Sequence, residues 1–95
     1  MISGKQRSYL KSLANTIDPI INIGKSGIIE TVIQQADEAL EARELVKFKI
    51  LNNSPLEVKS TAGELAEILG AEYVQSIGRK FVLYRPSENQ KIQLP

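Results

Sequence analysis

Ile20-Ile21-Asn22-Ile23-Gly24-Lys25-Ser26-Gly27-Ile28-Ile29 is the stretch on which the fold of this 95-residue chain turns. Its first four residues are β-branched except for Asn22 and read as a short buried strand. Gly24 and Gly27 bracket a turn whose backbone is permissive at both ends. From Ile28 a helical period takes over. Ile28, Ile29, Val32, Ile33, Ala36, Ala39 and Leu40 share one stripe, and Glu30, Asp37, Glu38, Glu41 and Glu44 fall on the far side. Strand, glycine turn and long amphipathic helix together open an α/β unit.

Upstream, Ser3 followed by Gln6 has the spacing of a capping box, so a helix starts there. Leu10, Leu13, Ala14 and Ile17 make its apolar face, with Arg7 and Lys11 one turn apart opposite. Asp18-Pro19 is expected to end it, because proline pushes its predecessor out of helical geometry. Downstream, residues 45–51 set Val46, Phe48 and Ile50 against Lys47 and Lys49, the alternation of a strand with one polar face. Asn52-Asn53 turns the chain. Ser54-Pro55-Leu56-Glu57 offers a cap, a proline at the first helical position and a reciprocal glutamate. Val58, Ala62, Leu65 and Leu69 then form a buried side up to a stop at Gly70.

Strands over 72–77 and 80–85 follow, close enough across Gly78-Arg79 to form a hairpin. The order α-β-α-β-α-β-β predicts an α/β fold: a single domain over residues 1–86 with a mixed four-stranded sheet packed by helices. The strand–helix–strand links predict parallel neighbours, and the last pair is antiparallel. Residues 87–95 are polar and aperiodic and are expected to form a loose, flexible tail.

Composition narrows the function. The chain has no Cys and no His, which removes thiol nucleophiles, catalytic triads, zinc ribbons and His-ligated metals. No cofactor, metal or enzymatic site is expected. The start Met1-Ile2-Ser3-Gly4-Lys5 lacks the apolar core of a signal peptide, and no apolar run approaches a bilayer span. A cytoplasmic protein without a membrane partner is expected. Net charge is only +1, but it is segregated. Residues 1–27 hold Lys5, Arg7, Lys11 and Lys25 against Asp18 alone, and residues 73–86 hold Arg79, Lys80 and Arg85 with no acid.

Gly24-Lys25-Ser26 invites a nucleotide-binding P-loop reading. That motif needs a glycine where Pro19 stands, and a phosphate-wrapping loop where Ile20-Ile21-Asn22-Ile23 form a strand. The remaining description is a Gly-x-x-Gly turn between strand and helix. Its small residues admit a phosphodiester backbone, free helix N–H groups favour an anion, and Lys25 adds charge. KH domains clamp single-stranded RNA with a loop of this kind. Arg7, Lys11, Arg79 and Lys80 extend the basic footprint, joined by Lys47 and Lys49 if their strand face is open. The aromatics Tyr9, Phe48, Tyr73, Phe81 and Tyr84 are assigned mostly to the core, since a small domain has few large side chains to spare.

Several segments recur together in one known family. Ser3-Gly4-Lys5-Gln6-Arg7-Ser8-Tyr9-Leu10, Ile23-Gly24-Lys25-Ser26-Gly27, Asp37-Glu38-Ala39-Leu40-Glu41-Ala42-Arg43-Glu44-Leu45-Val46-Lys47, Leu65-Ala66 and Ile77-Gly78-Arg79-Lys80-Phe81-Val82-Leu83-Tyr84-Arg85-Pro86 resemble the CRM domain. This is the chloroplast RNA splicing and ribosome maturation domain, here of the stand-alone bacterial YhbY type. The resemblance covers the chain up to Pro86. It implies a fold like the C-terminal domain of translation initiation factor three. It also implies an RNA-binding protein that associates with precursors of the large ribosomal subunit. The chain is expected to be a monomeric, non-catalytic protein that binds large-subunit ribosomal RNA in precursor particles and assists ribosome assembly, with no small-molecule substrate. RNA contacts are expected at Gly24, Lys25, Ser26, Gly27, Lys5, Arg7, Lys11, Arg79 and Lys80. Ser26 stands where many members carry glycine. The competing reading is an adaptor that docks an assembly protein on the acidic helix face.

Overall fold

Ser3 caps the first helix as its spacing predicts. Its hydroxyl accepts the Gln6 N–H at 3.1 Å, and the Gln6 side-chain oxygen accepts the Ser3 N–H at 2.9 Å. The computed structural model describes residues 2–95. The elements are α1 (Gly4–Ala14), β1 (Ile21–Ile23), α2 (Glu30–Arg43), β2 (Leu45–Ile50), α3 (Val58–Leu69), β3 (Glu72–Ile77) and β4 (Lys80–Tyr84). This is the expected order, in a single α/β domain with three helices and a mixed four-stranded sheet.

Two helix boundaries differ from expectation for local reasons. α1 stops at Ala14, four residues before Asp18. The Thr16 and Ile17 N–H groups fold back on the Leu13 and Ala14 carbonyls, and the Thr16 hydroxyl donates to Leu13 at 2.8 Å. That tightened last turn ends the helix without help from Pro19. α3 begins three residues later than the Ser54 cap implies. Glu57 is its N-cap, and its carboxylate accepts the Ser60 and Lys59 N–H groups. The charge-assisted bonds of Glu57 satisfy two orphan helix donors, which displaces the weaker serine cap. These same bonds, Ser60 first, lower the Glu57 pKa from its ordinary value. Gly70 ends α3 in the left-handed conformation, as predicted.

The sheet order is β1-β2-β4-β3. β1 and β2 are parallel, as the first crossover predicts, but β2 and β3 are not neighbours. β4 inserts between them, antiparallel to both. The reason is apolarity. Phe81, Val82, Leu83 and Tyr84 are all buried, so this strand takes a central position flanked on both sides. Val46, Phe48, Ile50, Phe81 and Leu83 face α2 and α3. Phe48 and Phe81 stack across the two strands with ring centroids 4.7 Å apart, each worth about 1.5–3 kcal/mol of burial. Leu45, Val74, Val82 and Tyr84 face the other way, onto Leu10 and Ala14 of α1. The two faces of the sheet thus have separate cores.

Glu44, placed by periodicity on the solvated side of α2, is instead fully buried. It is the residue that ends α2, and its φ of +67° turns the side chain inward. One carboxylate oxygen accepts the Ser87 N–H and hydroxyl at 2.7 and 2.9 Å; the other accepts the Lys91 and Ile92 N–H groups at 2.9 and 2.6 Å. Burial alone would raise its pKa, but these donors outweigh that and hold it below the ordinary value of 4.5. Residues 87–95 form neither helix nor strand, and this carboxylate fastens them. Ile92 and Leu94 pack onto the α1 core.

Candidate nucleic-acid interface

Three loops leave the same end of the sheet. Ile23 lies opposite Ile50 in the parallel register, and the Leu51 N–H donates to the Ile23 carbonyl at 2.9 Å. The Ile50 N–H donates to the Arg79 carbonyl at 2.7 Å. The 24–27 loop, the 51–56 segment and the Gly78-Arg79 hairpin tip therefore sit together. The Gly27 N–H closes the 24–27 loop onto the Gly24 carbonyl at 3.1 Å, leaving Lys25 and Ser26 exposed at its tip.

The two glycines are not equivalent. Gly27 has φ +77°, which L side chains rarely adopt, and a Cβ there would lie 3.7 Å from the Leu56 side chain. Gly24 has no positive φ, and a Cβ would meet Leu51 at an ordinary 3.9 Å. Backbone geometry demands glycine at the end of the loop, while at its start a small residue keeps the approach open.

Arg79 turns out to be committed within the protein. Its guanidinium donates to the carbonyls of Leu56 at 3.1 Å, Leu51 at 3.1 Å and Ser54 at 2.8 Å. Leu51 and Leu56 are the residues whose side chains back Gly24 and Gly27. Arg79 thus clamps the segment against which the 24–27 loop rests, and its charge reaches the interface from a fixed, half-buried position.

Lys80 is exposed and stands directly opposite Lys49, which in turn lies opposite Asn22. Alternation puts these residues on the sheet face that carries α1, but beyond the part that α1 covers. Among the described residues the ion pairs are those of Arg85 with Asp37 and Glu41, so the lysines carry uncommitted charge. On this face lies a cleft of about 360 Å³, bordered by Asn15 at the end of α1, by Lys47 and Lys80, and by Gln75, Ile77 and Val82.

The α1 basic residues are distributed unevenly. Arg7, Lys11 and Asn15 follow one another at helical-turn spacing, so this stripe runs toward the cleft. Lys5 lies in the first turn, beside the Ile2 N–H that donates to Glu72 at 3.4 Å. Glu72 pairs with Tyr84, and Tyr84 with Leu45, which marks the end of the sheet away from the loops. The fold gathers Lys25, Lys49, Arg79 and Lys80 at one end, leads Lys11 to its flank, and leaves Lys5 at the other end.

Asn15, Gln75 and Ile77 were not candidates from sequence. The Lys47/Lys49 alternation was the available signal, and it becomes readable only once β4 is known to lie beside β2. The acidic side of α2 is partly used internally. Arg85 donates to Asp37 at 2.8 Å, and Glu41 accepts the Glu88 N–H at 3.0 Å.

Known proteins align with this chain over its length. It is 42% identical, across the whole of both chains, to the Bacillus subtilis "Probable RNA-binding protein YqeI". It is 37% identical to a Haemophilus influenzae "RNA-binding protein", covering 99% of this chain and 95% of the relative. In three dimensions it matches the solution structure of the Staphylococcus aureus "hypothetical protein SAV1595", described as "a putative RNA binding protein". The TM-score is 0.84, with 50% identity and full coverage of both chains. The model of the CRS1 / YhbY (CRM) domain matches residues 2–85, and the chain belongs to that family.

Proposed function

We propose that the protein binds single-stranded RNA without catalysing a reaction, gripping the phosphate backbone with the 24–27 loop. The observation that carries this reading is the convergence at one end of the sheet. An exposed, glycine-closed turn carrying Lys25 sits beside the uncommitted amines of Lys49 and Lys80. Backbone N–H groups at the start of α2 add partial positive charge. Arg7 and Lys11 widen the field. Such contacts position a strand and contribute salt-sensitive affinity. The names of the related proteins support RNA as the partner.

The family resemblance extends the proposal to large-subunit ribosomal RNA in precursor particles, with a cytoplasmic, monomeric assembly factor as the setting. Among the described residues no helix is long and apolar enough to cross a membrane. Docking of a protein on the acidic side of α2 is the weaker reading, because Glu44 is buried, Asp37 is paired with Arg85 and Glu41 already accepts the Glu88 N–H. Crosslinking in growing cells, followed by identification of what is attached to the protein, tests the assignment. Reads clustered on large-subunit ribosomal RNA support it; protein adducts with no RNA overturn it.

A further inference from the structure

We infer that the cleft between the end of α1 and the open half of the sheet receives one unstacked base of the bound RNA. This inference rests on the RNA-binding reading and assigns base preference to a site separate from the 24–27 loop. Lys49 and Lys80 face each other directly across β2 and β4, and like charges so placed destabilise a sheet. Lys80 and Lys47 border the cleft and no carboxylate does, so the counter-charge that suits them is an anionic ligand.

A volume of about 360 Å³ lies at the small end of ligand pockets, roughly 300–1,000 Å³, and suits a single nucleotide-sized group. Its accessible apolar surface comes from Ile77, which is 66% exposed, with buried Val82 at its floor. An isoleucine so open on a strand offers a flat apolar contact for a base. Asn15 and Gln75 border the same space with amides that both donate and accept, as reading a base edge requires. Lys47 and Lys80 stand where the attached phosphates would pass.

The Lys49–Lys80 row lies at the loop end of the sheet, so a strand gripped by the 24–27 loop can cross it to reach the cleft. The loop holds backbone and is indifferent to sequence. The cleft supplies the preference.

The test uses the isotope-labelled full chain titrated with short single-stranded homopolymer RNAs of each base, followed by NMR. The side-chain amide signals of Asn15 and Gln75 and the backbone signals of Ile77 and Lys80 are expected to move by amounts that depend on the base. A double variant, Asn15→Ala with Gln75→Ala, is expected to narrow the gap between the preferred and least preferred homopolymer about tenfold, with its salt dependence unchanged. Ile77→Ser, a neutral change at an exposed position, is expected to do the same without disturbing the fold. RNA that shifts only the 24–27 signals, or variants that keep the preference, overturn the cleft and leave RNA binding standing. An acidic peptide that moves the cleft signals as far as RNA does also overturns it, since the site is then a charge patch. Failure of every RNA to bind overturns both.

Discussion

The Arg79 guanidinium donates a 2.8 Å hydrogen bond to the Ser54 carbonyl, joining the tip of the β3–β4 hairpin to the segment that enters α3. With its bonds to Leu51 and Leu56, it satisfies three carbonyls at once and fixes the surface behind Gly24 and Gly27. Arg79→Ala is expected to lower stability by about 1–3 kcal/mol in denaturant unfolding, the cost of unpaired polar groups. Arg79→Lys is expected to recover little of it, because a single ammonium cannot reproduce the planar fork. The affinity lost by Arg79→Ala should persist at high salt, where a purely electrostatic defect fades.

The loop glycines separate by substitution. Gly27→Ala places a Cβ in the left-handed region, at a cost of roughly 1–2 kcal/mol. Gly24→Ala, with ordinary backbone and space for a methyl group, should stay within about 0.5 kcal/mol. Thermal unfolding of the two variants checks the difference. Equal losses would contradict the loop conformation.

Glu44 makes attachment of the C-terminal segment pH-dependent. Its folded pKa lies below the ordinary 4.5, so its contribution is fully present above that value and is lost as pH falls through the lower, folded value. Protection of the Lys91 and Ile92 amides against exchange, taken relative to their intrinsic rates at each pH, should therefore fall on acidification below the ordinary carboxylate range. Glu44→Gln should show fast exchange already at neutral pH, because an amide cannot accept all four bonds as a carboxylate does.

Lys80→Glu should trade affinity for stability. It turns the Lys49–Lys80 opposition into an opposite-charge pair, worth about 0.2–1 kcal/mol of added stability. At the same time it removes positive charge from the interface. The intact protein is expected to show a slope of log affinity against log salt of about −3 to −4, as for roughly four to six phosphates on a single strand. The variant's slope should be shallower. A variant both less stable and equally tight in binding would contradict the placement of Lys80.

Local signals carried most of the fold. Capping at Ser3, the glycine stop at Gly70, the hairpin at Gly78-Arg79 and the strand–turn–helix around Gly24 all depend on neighbouring residues, and each is legible in the sequence. The position of β4 is not, because strand order follows from competition between whole strands for the centre of the sheet. Glu44 misled for a related reason. Helical periodicity assigns a face only while the helix continues, and a positive φ at the capping residue just beyond it redirects the side chain. Arg79 reads as a free basic residue because its partners lie more than twenty residues away in the chain. The open lysine face of β2 required knowledge of both its neighbour and the reach of α1.

The most direct test of the central claim is RNA affinity in the double variant Lys25→Asp with Ser26→Asp, measured at low salt beside its unfolding curve. Both residues are exposed at the loop tip, so stability should change by less than about 0.5 kcal/mol. Binding should be abolished. A double variant that folds normally and binds RNA at full affinity would contradict the account.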